Sequence, residues 1–269
     1  MKNKAFALCP FGGLANRMRA IVSTYLYAKK INMDVKAFWF RDTGLNARFT
    51  DLFYPQNIDG LEIVEGNNLQ SLLYNNPSKH NLYLPRLFQS LLFKNCLYNL
   101  NNTCPPHTVD YISACSIVGN PSASSLHETT NKIFHLRKNI QQELDKRSKG
   151  FGDYIVGFHI RRTDNAMSVK NSPTEAFLDT VEKERLQHLN CTLFLATDSQ
   201  NVKHIFKEKF PDIVTNPKKA ERNSKEGIID GLLDMYMLSK CNIIYGSFYS
   251  SFSIFAHTIG NNKLVIIKK

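Results

Sequence analysis

The sequence predicts an α/β protein of two domains, each organised around a parallel sheet. Three observations carry this reading. The chain opens strand, glycine turn, helix, strand, which is the start of a βαβ unit. From residue 150 onward, apolar strands alternate with helical segments without interruption. Three of those strands end in polar or hydroxyl residues at the turn into the next helix, as the carboxyl edge of an open sheet does. At 269 residues the chain is long enough for two small domains or one large one.

The elements follow in order. Residues 1–9 read as the first strand and Pro10-Phe11-Gly12-Gly13 as the turn. Met18, Ile21, Val22, Tyr25, Leu26 and Ala28 lie at helical spacing, which predicts a helix over 15–31. A second strand covers 35–40. Residues 66–107 are irregular and rich in Asn, with Pro77, Pro85, Pro105 and Pro106 as punctuation. Within them 87–100 reads as a short amphipathic helix, with Arg86 and Lys94 nearby. Packing on its own domain is its expected use, and a membrane-surface element is the alternative. A strand at 112–118 and a long helix at 127–146 complete a first domain of residues 1–149. Lys149-Gly150-Phe151-Gly152 is the expected hinge. The second domain, 150–269, has strands at 154–160, 192–197, 212–215, 242–245 and 263–267. Helices at 174–189, 199–209, 225–240 and 250–260 separate them, a doubly wound pattern.

Composition excludes several classes. A hydrophobic content of 43% with 21% charged residues is that of a soluble globular protein. The net charge of +11 is uneven: residues 1–149 carry 18 basic and 10 acidic side chains, and residues 150–269 carry 16 and 13. A basic first half suits an anionic partner, yet no basic run or aromatic–basic repeat signals a nucleic-acid fold. None of the six cysteines forms a Cys-x-x-Cys pair, so a zinc site is not expected. There is no Asp-x-Asp, no His-Glu-x-x-His and no Gly-x-Ser-x-Gly. Neither a signal peptide nor a transmembrane helix is expected, and a reducing cytoplasm is the expected setting.

The candidate site is read from the strand ends. Tyr154-Ile155-Val156-Gly157-Phe158 leads into His159-Ile160-Arg161-Arg162-Thr163-Asp164. Two adjacent arginines cannot both enter a core, because an unpaired buried charge is costly. At least one is expected to meet an anion, since the guanidinium fork matches phosphate oxygens. A surface Arg pair bridged to Asp164 is the alternative. Ala196-Thr197-Asp198-Ser199 and Tyr249-Ser250-Ser251-Phe252-Ser253 follow two further strands. Each is ordinary N-cap chemistry taken alone. Together they describe one sheet edge where a phosphate could sit at helix N-termini.

These strings carry a resemblance. His159 to Asp164 is similar to the His-x-Arg-Arg-x-Asp motif of the α1,2-, α1,6- and protein O-fucosyltransferases. Ala196 to Ser199 resembles that superfamily's second conserved strand. Asp234-Met235-Tyr236-Met237-Leu238-Ser239 with Ser250-Ser251-Phe252 resembles its third region, and Phe11-Gly12-Gly13-Leu14-Ala15-Asn16-Arg17 its glycine-rich opening. The matches span positions 11 to 252. Two departures stand out. Asn16-Arg17 replaces Asn-Gln, and Asn165-Ala166-Met167-Ser168 lacks the acidic residue that some α1,6 members place there as a base. Linkage and base therefore stay open.

The resemblance implies a GT-B-like fold of two facing Rossmann-type domains with a cleft between them. The first is on the acceptor side and the second binds the nucleotide sugar. It implies an inverting, metal-independent glycosyltransferase that moves fucose from GDP-fucose to a glycan, on a surface polysaccharide or an oligosaccharide. No cofactor is expected. Arg161 would stabilise the leaving β-phosphate, with Arg162 in support, and His159 and Asp164 would order the loop and touch the nucleotide. Ser250, Ser251 and Phe252 would hold the β-phosphate. Asp234 or Asp198 would read guanine and ribose. Gly12, Gly13, Asn16 and Arg17 would face the sugar or acceptor. Asp164, Glu175 or a departing phosphate oxygen would take the proton. A bacterial enzyme is implied, with a lipid-linked acceptor and a peripheral position at the inner membrane face among the options. Two alternatives remain: another nucleotide sugar on the same scaffold, and a nonenzymatic basic module for anionic lipid or nucleic acid.

Overall fold

A computed structural model describes residues 4–100, 103–163 and 166–269. The chain separates into two units, Met1–Arg137 with Arg222–Lys225, and Lys138–Glu221 with Glu226–Lys269. The change of unit precedes the 149–152 turn. Helix α6 (Lys138–Ser148) already belongs to the second unit, where its Arg147 pairs with Asp230 at 2.8 Å.

In the first unit, β1 (Ala5–Pro10) leads through the glycine turn into α1 (Leu14–Lys30) and β2 (Asp34–Trp39). Gly12 takes φ +81°, and a Cβ there would lie 2.9 Å from the Asn16 amide nitrogen, so the turn needs glycine. Helix α1 is buried on most sides, with Met18, Ile21 and Val22 fully enclosed. It stops where Asn32 turns left-handed and the Met33 amide donates back to Ala28 O at 2.9 Å.

Next come α2 (Phe49–Leu52), β3 (Phe53–Tyr54), β4 (Leu61–Glu65), α3 (Asn68–Tyr74), α4 (Leu84–Leu92), β5 (Cys96–Leu100), β6 (Tyr111–Ala114), α5 (Ala123–Ile133) and β7 (His135–Leu136). The sheet order is β4-β2-β1-β6-β5, all parallel. Two expectations are corrected. The predicted 87–100 helix ends at Leu92, and 96–100 is a strand, because Phe93 and Tyr98 pack on the Tyr111 ring at 5.5 and 5.8 Å. The predicted 127–146 helix is interrupted by β7, which pairs antiparallel with β3. Phe134 packs on Phe53 at 5.0 Å and holds the chain extended there.

The second unit follows the predicted alternation: β8 (Ile155–Ile160), α7 (Ala166–Asn171), α8 (Thr174–Gln187), β9 (Thr192–Thr197), α9 (Gln200–Lys209), β10 (Val214–Thr215), α10 (Lys225–Ser239), β11 (Ile243–Ser247), α11 (Ser251–Gly260) and β12 (Lys263–Ile267). Its sheet is parallel in the order β10-β9-β8-β11-β12. The chain leaves β8 toward β9 and later returns to β11 on the other side. The order therefore reverses between β8 and β11, the position at which open α/β sheets bind ligands beyond the strand carboxyl ends. Beneath it Phe158, Phe177, Val181, Leu195 and Phe206 form the core, each worth about 1.5–3 kcal/mol of burial. No described helix is long and apolar enough to cross a membrane.

Candidate functional site

The reversal between β8 and β11 brings six predicted residues into one hydrogen-bonded edge. Strand β8 is buried along its length, and His159 is 7% exposed. The His159 ring stacks on Phe252 at 4.7 Å, and its Nδ1 shares a hydrogen bond with Ser250 Oγ at 3.3 Å. Ser250 is the N-cap residue of α11, but its hydroxyl makes no capping bond. With that hydroxyl turned to His159, the first amides of α11 have no side-chain cap. A helix start of this kind attracts anions. Gly246 permits the close approach of α11, since a Cβ there would lie 2.5 Å from Ser253 Oγ.

Arg161 stands at the tip of β8, half-buried, with its amide donating to Ser247 Oγ at 3.1 Å. Ser247 in turn donates to His159 O at 3.2 Å. Arg162 points a different way. Its guanidinium donates to Ser172 O at 2.7 Å, to Thr174 Oγ1 at 3.0 Å and to Arg161 O at 2.8 Å. That side chain is committed to holding the loop. Asp198 holds the same loop from β9: it accepts the Arg162 amide at 2.7 Å, the Thr163 hydroxyl at 2.7 Å and the Thr163 amide at 3.3 Å. Asp164 lies outside the described residues. Glu175 is exposed in the first turn of α8.

Sequence reasoning missed Ser172 and Ser168. Both are fully buried. Ser172 Oγ accepts the Phe248 amide at 2.8 Å and donates to Ile267 O at 2.6 Å, while Ser168 Oγ donates to Phe248 O at 2.6 Å. They tie the turn before α11 to the segment after the Arg pair. Asn171-Ser172-Pro173-Thr174 reads as a plain helix start, so nothing local marks this role.

Asp234 sits elsewhere, in a charged group on α10. Burial pushes its carboxyl up to about 7, with Arg147 and Lys203 opposing the shift. Arg147 also binds Glu143 at 2.9 Å, and Lys218 reaches Asp230 at 3.0 Å. Desolvation lowers the Lys203 ammonium, whose Nζ donates to Lys218 O.

In the first unit, the expectation that Arg17 faces the sugar or acceptor is corrected. Its side chain is fully enclosed. The guanidinium donates to Gly12 O at 2.8 Å, to Phe40 O and to Asp42 Oδ2 at 2.7 Å, and lies 5.6 Å from the Trp39 ring centroid. Arginine there joins the glycine turn to the end of β2. Asp42 also accepts the Gly44 and Leu45 amides at 2.8 and 3.0 Å. It lines a cavity of about 580 Å3 with Arg41, Asn46, Asn67, Ser71 and Asn223. The Asn16 side-chain oxygen is buried without a hydrogen-bond partner among the described residues.

No protein-family model matches the chain, and no curated protein matches it in sequence. Solved structures do share its fold. NodZ, an α-1,6-fucosyltransferase soaked with GDP-fucose, aligns with TM-score 0.64 at 19% identity over 96% of this chain and 93% of that one. Its selenomethionine form, from Bradyrhizobium, gives 0.65 over 96% and 92%, also at 19% identity. An Arabidopsis thaliana FUT1 mutant in complex with GDP aligns at 0.64 and 13% identity, over 98% of this chain and 70% of that one. The fold is thus α/β and GT-B-like, built on two Rossmann-type parallel sheets.

Proposed function

We propose that the protein is an inverting glycosyltransferase that uses a GDP-sugar, with fucose as the transferred group and a glycan as acceptor. The observation that carries this is the anion-ready edge of the second unit. Arg161 ends β8 beside an α11 N-terminus whose cap hydroxyl is held by His159. The fold shared with NodZ, whose crystals were soaked with GDP-fucose, supports the donor class.

In the reaction an acceptor oxygen attacks the anomeric carbon as the bond to the β-phosphate oxygen breaks. GDP departs with the bonding electrons, and the acceptor proton passes to a base. Arg161 and the Ser251 and Phe252 amides stabilise the departing charge; losing one such donor typically costs ~10²–10³ in rate. Arg162 and Asp198 position the loop. Asp164, Glu175 and a phosphate oxygen are the candidate bases. Cationic and amide donors at the phosphate support a reaction without a metal. The Asn-lined cavity of the first unit suits a hydroxyl-rich saccharide, with Asp42 accepting from one of its hydroxyls.

Calorimetry against GDP, UDP, ADP and CMP tests the donor. GDP should bind most tightly, and a clear preference for UDP would overturn the reading. Arg161→Ala should lose ~10²–10³ in transfer from GDP-fucose. Near-full activity would remove the mechanism.

A further inference from the structure

Helix α4 presents its apolar side outward. Pro85 and Gln89 are its buried residues, and Gln89 Nε2 donates to Asn75 O at 2.8 Å. Leu84, Leu87 and Leu91, spaced three and four apart, all point into solvent; Leu87 is 60% and Leu91 78% exposed. An amphipathic helix packed only on its own domain has the opposite orientation. The preceding turn extends the ridge. Leu82 and Tyr83 both adopt left-handed backbone, at φ 52° and 56°, and Leu82 is 78% exposed. Leucine and tyrosine seldom adopt that conformation. Here it carries two large apolar side chains outward.

Charge within the segment that carries this ridge has one sign, and Asp110 at its end, which accepts the Lys94 amide at 3.3 Å, is paired with Lys4 at 2.7 Å. From Gly66 to Val109, 44 residues, the sequence contains no Asp or Glu. Lys79, Arg86 and Lys94 are all exposed around α4. We propose that this face docks on an anionic bilayer surface, with the Leu and Tyr side chains at the headgroup boundary and the cations among the phosphates. A two-fold contact between copies would set the same cationic patch against itself. The inference rests on the first unit's surface and does not depend on the transferase reading.

Sedimentation with vesicles tests it. The protein should pellet with equimolar phosphatidylcholine and phosphatidylglycerol, pellet much less with phosphatidylcholine alone, and be released by salt. Lys79→Ala with Lys94→Ala should weaken binding about 25-fold at low salt, at roughly fivefold per charge. Leu87→Ser with Leu91→Ser should weaken it at least ~tenfold at any salt, with an unchanged circular dichroism melt because neither side chain supports the core. Equal pelleting of this double variant and the wild type would overturn the proposal. So would a failure to bind the anionic vesicles, or a wild-type dimer that the double variant splits without any vesicle binding.

Discussion

Arg17→Met tests whether the buried guanidinium of the first unit is structural. Methionine keeps most of the stem packing beside Trp39 and removes every donor. Two carbonyl acceptors, Gly12 O and Phe40 O, then lose their partner, at about 1–3 kcal/mol each when buried. Asp42 keeps two amide donors, and its side chain is 37% exposed, so water replaces the third bond and the lost ion pair adds about 0–1 kcal/mol. Relief from burying a guanidinium offsets part of the total. The net expectation is a loss of about 2–4 kcal/mol, with Asp42→Asn costing about 1 kcal/mol. Trp39 is the chain's only tryptophan, is 1% exposed and lies in the first unit, so its fluorescence follows that unit through a urea titration. The midpoint should fall by about 1–2 M. A fall below about 0.3 M would show that the three bonds contribute little, and would refute the reasoning.

Three further outcomes are expected. Asp198→Ala should speed hydrogen exchange at the Arg162 and Thr163 amides by at least ~tenfold, since each amide loses a charged acceptor; unchanged protection would mean that Asp198 does not hold the loop. Asp234 has its folded pKa raised from 3.8 to about 7, so its burial opposes folding increasingly as pH rises between those values. Asp234→Asn should therefore gain urea resistance relative to wild type on going from pH 5 to pH 8, and a gap independent of pH would contradict the shift. Gly246→Ala forces a Cβ to 2.5 Å from Ser253 Oγ; it should lower stability by about 1–3 kcal/mol and weaken GDP binding by displacing α11, whereas wild-type behaviour on both would show that α11 is free to move.

The second unit was legible because parallel strands buried on both faces read as apolar runs, and each run of β8, β9 and β11 is followed by its helix. His159, Arg161, Arg162, Asp198, Ser250 and Phe252 were found from their places at strand ends. Their individual tasks were not. Whether Arg162 meets a ligand or its own loop depends on Ser172 and Thr174, which only the fold brings within reach. Arg17 stood in a motif that read as a binding signature, yet its burial is set by Trp39 and Phe40 at and just past the end of β2, 22 and 23 residues on. The stripe on α4 was visible as amphipathic, but periodicity fixes which residues share a face and not which way that face turns. The extended β5 was hidden for a similar reason, since Phe93 and Tyr98 fit a helix until Tyr111 is placed between them.

The short segment Arg222–Lys225 has a consequence for biogenesis. It belongs to the first unit although the chain on either side of it belongs to the second. Its Asn223 O accepts from Asn46 Nδ2 at 2.7 Å, and Asn223 forms part of the cavity wall. A ribosome adds 5–20 residues each second, so Asn223 emerges roughly 4–17 s after Arg137 has completed the rest of that unit. During this interval the cavity lacks one wall. Release of the unit at residue 137 would leave it permanently open, so a fragment ending there should fold its sheet and still carry an unfinished pocket.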